Sequence, residues 1–170
     1  MTEIEDRLAR LEAESQIRRL EARYCDTWDA ARAEDWAGVF TEDGVFRRAD
    51  VHGMAGHVKR GRAELAEFCR TLQEGYGRFH MLNTVDIDVI GDDTATSRIS
   101  FQCPMTSLGD FPKYSVVTGF YDTQYRRTAE GWRMAIRLER QVFRAENAFY
   151  GVFDPAMPLS ETGSSFDDAR

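Results

Sequence analysis

The apolar pattern of this chain changes period once, and that change limits the folds open to it. Ile4, Leu8 and Leu11, then Ile17, Leu20, Tyr24 and Trp28, recur at three- and four-residue steps among charges, the spacing of one helical face. Beyond Arg78 the apolar residues alternate, the spacing of strands. Helices first and strands last predict an α+β fold rather than alternating βαβ units.

Thr2 followed by Glu5 predicts a capping box at the first helix. Its apolar face changes phase between Leu11 and Ile17, which predicts a bend near Glu14-Ser15 and a different packing partner for the first turns, such as a neighbouring subunit. A short helix over Ala33 to Phe40 precedes the turn Thr41-Glu42-Asp43-Gly44 and a strand starting at Val45-Phe46. Gly53, Gly56 and Gly61 punctuate a loop, and Leu65, Phe68, Cys69 and Leu72 share one face of a helix from about Arg62 to Gln73. Antiparallel strands are expected over Arg78 to Ile90, Thr94 to Cys103, Tyr114 to Arg127 and Trp132 to Phe143, with hairpins at Gly91-Asp92-Asp93 and Thr128 to Gly131. After Asp154 the chain becomes rich in Ser, Asp and Gly. The reading is one domain over 1–153 and a mobile tail over 154–170.

At 170 residues and 42% hydrophobic content, one sizeable core is feasible and two are not. A net charge of −7 gives no basic footprint for nucleic acid or an anionic membrane, so a small-molecule partner is expected. Cys25, Cys69 and Cys103 lack CxxC spacing and lie in apolar stretches, as reduced core thiols do. With no basic start, apolar leader or membrane-length run, the expectation is a cytoplasmic protein.

Histidine is the side chain whose ordinary pKa lies near neutrality, and the chain has three. His52 and His57 fall in the glycine-punctuated loop and read as solvated. His80 instead opens a strongly apolar strand. Asp29 ends a helical segment with aromatic neighbours, where a carboxylate needs a partner, and an imidazole N–H is suited to that. Paired, Asp29 would orient His80 as a base. Taken alone, Asp29 reads more readily as a solvated helix-end residue like Asp26, and His80 equally well as a partly buried histidine bonded to backbone. Tyr24 could donate its phenol proton to a substrate oxygen, although core packing explains it equally well.

Strict alternation would put His80 on the face opposite Val85, Ile87 and Val89, so a bulge between His80 and Val85 is expected. Arg137 falls inside the last strand, where a buried arginine requires a carboxylate or an anionic ligand. Trp28, Met81, Ile99, Phe101 and Phe120 are candidates for the apolar wall of a pocket. HExxH, P-loop, GxGxxG and GxSxG motifs are absent, as is any metal-ligand cluster, so no metal and no cofactor is expected.

The segments Ile17-Arg18-Arg19-Leu20 leading to Tyr24 and Asp29, Phe40 to Phe46, Phe79 to Asn83, Gly91 to Ala95, and Gly131-Trp132 together resemble the SnoaL-like branch of the nuclear transport factor 2-like superfamily. The resemblance runs from the first helix to about Phe143. It implies a cone-shaped, curved antiparallel sheet packed against N-terminal helices around one apolar pocket. Within that branch the pattern is similar to the bile acid 7α-dehydratase, scytalone dehydratase and hexachlorocyclohexane dehydrochlorinase families, which eliminate a leaving group with a helix Asp and a strand His. Asp29 and His80 match those positions. Tyr24 matches a helix tyrosine of the bile acid enzymes and Arg137 a last-strand arginine of the dehydrochlorinases. Cys103 stands where the bile acid enzymes carry a carboxylate, so their substrate and proton path do not carry over.

The resemblance implies a lyase of the dehydratase type, working without metal or cofactor on a hydrophobic, polycyclic or aromatic molecule. Alternatives are an isomerase or cyclase in the same pocket and a non-catalytic binding or assembly subunit. A second acidic residue, which epoxide opening would require, is not evident in the sequence. A homo-oligomer is expected, a trimer in preference to a dimer.

Overall fold

The structure, a computed structural model, describes residues 2–50, 55–73, 76–107 and 114–146. Its first element is α1 (Glu3–Asp29), started by a reciprocal capping box between Thr2 and Glu5. α1 runs unbroken through Glu14 and Ser15. Ile17, Leu20, Tyr24 and Trp28 are buried, whereas Ile4, Leu8 and Leu11 remain exposed. The change of phase thus separates a core-facing half of α1 from a half whose large apolar side chains Ile4, Leu8 and Leu11 stay exposed.

α1 stops in a Schellman turn, in which Arg32 N donates to Thr27 O and Ala31 N to Trp28 O. Ala31 takes the left-handed conformation there, at φ 56°. That turn fixes Asp29 as the final helical residue, directed toward the strands. α2 (Ala33–Ala37) follows, shorter than its apolar pattern suggests.

The predicted turn at Thr41 to Gly44 is instead taken up within β1 (Phe40–Arg48) as a shift in its register. A Cβ on Gly44 would lie 2.7 Å from the Phe40 Cβ and 2.9 Å from the Thr41 carbonyl oxygen, so this bulge requires glycine. β2 (His57–Arg60), a strand where the sequence suggests loop, pairs with β1 and leads into α3 (Gly61–Gln73). The single strand expected from Arg78 to Ile90 is divided into β3 (Tyr76–Arg78) and β4 (Met81–Val89), both paired with β5 (Thr94–Ser107). β6 (Tyr114–Thr128) and β7 (Gly131–Glu146) complete a sheet of order β2-β1-β7-β6-β5-β3. All pairings are antiparallel except β1 with β7, which makes the curled sheet mixed. His52 and the tail from residue 154 lie outside the described residues.

The sheet wraps α1, α2 and α3. Trp36, Phe40, Leu65, Cys69, Ile99 and Met134 form the densest part of the core between the layers. The three cysteines are buried and form no disulfide. No helix among the described residues is long and apolar enough to cross a membrane.

Candidate active site

Three strand bulges decide which side chains reach the interior. In β4, Leu82 pairs with Phe101 and Val85 with Ile99, so Asn83 and Thr84 together oppose Ser100. Ser100 Oγ accepts from Thr84 N at 3.0 Å, holding the irregular residues. The bulge puts His80 and Leu82 on the same inward face as Val85, Ile87 and Val89 and turns Met81 outward.

β7 carries the other two. Tyr125 pairs with Met134 and Gln124 with Ile136, so Ala135 is extra and the inward parity changes there. Trp132 and Met134 point inward before it; Arg137, Glu139 and Gln141 do so after it, while Ile136 faces solvent. A further shift between Phe143 and Gln141 leaves Val142 exposed and sets Arg144 on the cavity side at the rim. There β6 and β7 approach so closely that a Cβ on Gly119 would lie 2.0 Å from the Arg140 carbonyl oxygen.

The space enclosed is a cavity of about 250 Å³ between α1, α3 and the sheet. Trp28, Phe46, Phe68, Leu72, Phe101, Met105 and Val117 give it an apolar sector. Arg48, His57, Glu139, Gln141 and Arg144, from β1, β2 and β7, give it a polar one.

His80 stands in the cavity wall with only 6% of its side chain exposed. Asp29 holds it twice: one carboxylate oxygen accepts from the His80 backbone N–H at 2.7 Å, and the other lies 2.6 Å from Nδ1. A carboxylate at Nδ1 favours the proton on that nitrogen and leaves Nε2 as the exchanging atom. Burial alone would depress the imidazole pKa, but Asp29 and the Cys103 sulfur, 3.9 Å away, outweigh it and raise the pKa to about 9. The Tyr24 ring meets the imidazole edge-on at 6.3 Å. Burial raises the Tyr24 and Tyr121 phenols well above their ordinary range, so both are neutral donors at physiological pH. Both line the cavity, and neither hydroxyl has a hydrogen-bond partner among the described residues.

Of the side chains selected from the sequence, Tyr24, Trp28, His80, Phe101 and Cys103 line the cavity, and Asp29 stands behind His80. Four do not. Met81 is turned out by the β4 bulge, and Ile99 is fully buried in the core, deeper than the cavity. Phe120 lies on the outer face of β6 beneath the Arg98 guanidinium; its neighbour Tyr121 faces inward and stacks on Phe101 at 4.1 Å. Arg137 is sealed below the cavity between the Tyr24 and Tyr121 rings, 4.1 and 3.8 Å from their centroids, and donates to Glu21 at 2.8 Å. Its partner is a carboxylate of the protein and not a ligand.

The sequence reading missed His57, Tyr121, Glu139 and Gln141. His57 is not a solvated loop residue: its ring packs 4.8 Å from that of Phe68, and its Nε2 is buried without a partner among the described residues. Burial, then Arg48 and Lys59, lowers its pKa, so it is neutral at physiological pH. Glu139 is the second acidic group that the sequence does not reveal. Among the described residues, no three His, Cys, Asp or Glu side chains cluster closely enough to hold a metal ion.

A curled sheet packed against N-terminal helices is the fold of nuclear transport factor 2-like proteins, and this chain belongs to the SnoaL-like domain family, which matches residues 9–137. The uncharacterized protein Rv2910c of Mycobacterium tuberculosis is 30% identical over 148 residues, covering 85% of this chain and 90% of that one. An NTF2-like protein with a cystatin-like fold from Novosphingobium aromaticivorans is 29% identical, with a TM-score of 0.65 over 84% of this chain and 90% of its own. The LinA Type2 hexachlorocyclohexane dehydrochlorinase aligns at a TM-score of 0.73 over 89% of this chain and 99% of its own. Its 15% identity makes that a likeness of fold alone.

Proposed function

We propose that this protein is a metal- and cofactor-independent lyase that eliminates a leaving group from a hydrophobic small molecule, with His80 as base and Asp29 as its orienting partner. The 2.6 Å contact between Asp29 and Nδ1, in the wall of a partly apolar cavity, carries this reading. His80 Nε2 takes the proton next to an electron-withdrawing group, and Asp29 stabilises the imidazolium formed. Tyr24, a neutral phenol facing the same cavity, donates a hydrogen bond to the oxygen on which charge builds up. The aromatic sector suits an aryl or polycyclic substrate. Elimination by the dehydrochlorinase of like fold and membership of the SnoaL-like family support the reaction class.

The test uses an aryl β-hydroxy ketone, followed by appearance of the conjugated enone. Wild-type protein should accelerate its loss of water, with a rate that falls toward acid pH, because only the neutral His80 ring accepts a proton. His80→Gln should abolish the acceleration while ligand binding persists. Binding of aryl ketones by wild type with no turnover would establish a binding protein instead.

A further inference from the structure

We propose that Glu139, which lines the same cavity as His80, is its general acid and protonates the departing hydroxyl, and that the substrate is therefore an alcohol and not a halide. This inference rests on the elimination reading above and adds the leaving group to it. His80 and Asp29 explain the loss of a proton from carbon. They do not explain how hydroxide, a poor leaving group, departs.

Glu139 is brought inward by the bulge at Ala135, which converts an apolar inward run on β7 into a polar one. One of its carboxyl oxygens accepts from Gln141 Nε2 at 2.6 Å; the other accepts no hydrogen bond from any described residue. It is paired across the sheet with Tyr121 on β6 and with Arg48 on β1, and it is coupled electrostatically to His80 from between β3 and β4, to Tyr24 from α1 and to Arg137 on its own strand. Burial raises its pKa against the opposing pull of Gln141, His80, Arg48 and Arg137. A carboxyl whose pKa is raised inside a cavity is suited to donate a proton, and an acid and a base lining one cavity are what an elimination across a C–C bond requires.

The step balances within the site. The C–H electron pair becomes the C=C bond as its proton passes to His80 Nε2. The C–O bond breaks, and oxygen leaves as water with the proton of Glu139. The site is left as imidazolium and carboxylate, and one proton passed from His80 to Glu139 through the water formed restores both.

Two aryl ketones serve as probes, one with hydroxide and one with para-nitrophenoxide as the β leaving group. Nitrophenoxide departs as a stable anion without a proton donor. Glu139→Gln preserves shape and should lower kcat on the hydroxy ketone by about a hundredfold more than it lowers kcat on the nitrophenoxy ketone. His80→Gln should abolish both. Independently of turnover, infrared difference spectra of wild type should show a protonated-carboxyl C=O band that persists to higher pH than that of an ordinary glutamate and is missing from folded Glu139→Gln. Equal loss on both probes, an unimpaired Glu139→Gln, or absence of the infrared band would overturn the assignment of Glu139 and leave His80 and Asp29 in place. If wild type turned over neither probe, the elimination reading and this role for Glu139 would both fall, even with the band present.

Discussion

Glu21 and Asp29 lie about two turns apart on the same face of α1, and each is paired with a cationic or basic side chain of the sheet layer. The surroundings of the two pairs differ. Glu21 meets Arg137 at 2.8 Å with both side chains at 2% exposure or less, and Tyr125 adds a hydrogen bond that continues to Ser97 at 2.6 Å. Asp29 meets His80 at 2.6 Å, and that ring borders open space. The first pair is enclosed by rings and has nothing to transfer a proton to. The second has a free nitrogen facing a cavity. A buried carboxylate beside a cation is therefore no sign of catalysis in itself; what matters is whether the partner's other atoms reach a place where a substrate fits.

Breaking the enclosed pair should cost the most. Arg137→Ala leaves the Glu21 carboxylate buried without its partner and empties the space between Tyr24 and Tyr121, so unfolding in urea should show a loss of about 3–5 kcal/mol. Replacing both members with Met should recover much of this loss, because the charge and its need for a partner disappear together. A double variant no better than Arg137→Ala would mean that packing, and not charge, dominates the site.

Breaking the cavity pair should act on turnover more than on folding. His80→Gln and Asp29→Asn should each lower kcat on a substrate by roughly two to four orders of magnitude, with native circular dichroism. Asn at position 29 can hold the ring in the wrong tautomer and cannot stabilise imidazolium. The two losses should not add, because the residues act as one unit.

The cavity pair should also make stability depend on pH. The folded-state pKa of His80 is raised from 6.5 to about 9, so the folded protein binds this proton more tightly than the unfolded chain does. Its contribution is whole below pH 6.5 and is lost as pH rises through 9. Urea midpoints should fall across that interval more steeply for wild type than for His80→Gln. Equal slopes would place the ring's proton elsewhere.

How much of this was legible in the sequence depends on whether local periodicity carried the information. The capping box, the burial of Ile17 to Trp28, α3 and the hairpins at Gly91 to Asp93 and Thr128 to Gly131 follow from spacing, because each depends on neighbours within a few residues. The Asp29–His80 meeting was expected from chemistry, and the β4 bulge from the conflict of parity at His80. The bulge at Ala135 left no such conflict, since Trp132 and Ile136 look alike in a list of apolar residues although one is buried and the other exposed. Glu139 and Gln141 were therefore invisible as cavity residues. β6 carries aromatic or branched residues at both parities, so alternation alone did not separate Phe120 from Tyr121. His57 was hidden because β2 has only four residues and is flanked by glycines.

The smallest expected effect concerns the turn that presents Asp29. Ala31 occupies the left-handed position of the Schellman turn at φ 56°, where its Cβ is strained and where glycine is the usual occupant. Two terms of opposite sign meet in Ala31→Gly: the folded state loses that strain, about 1–2 kcal/mol, and the unfolded chain gains backbone freedom, about 0.4–1 kcal/mol. The net should be a stabilisation on the order of 0.5 kcal/mol, a small upward shift in thermal midpoint. Glu21 lies far from this turn, so the Arg137→Ala penalty should be the same in either background. Asp29 is two residues from position 31, so if the helix end were displaced, activity would fall while stability rose. Unchanged turnover with a higher midpoint would show that the clamp on His80, and not the strained turn, holds Asp29 in place. A fall in both would mean that the turn is part of the site.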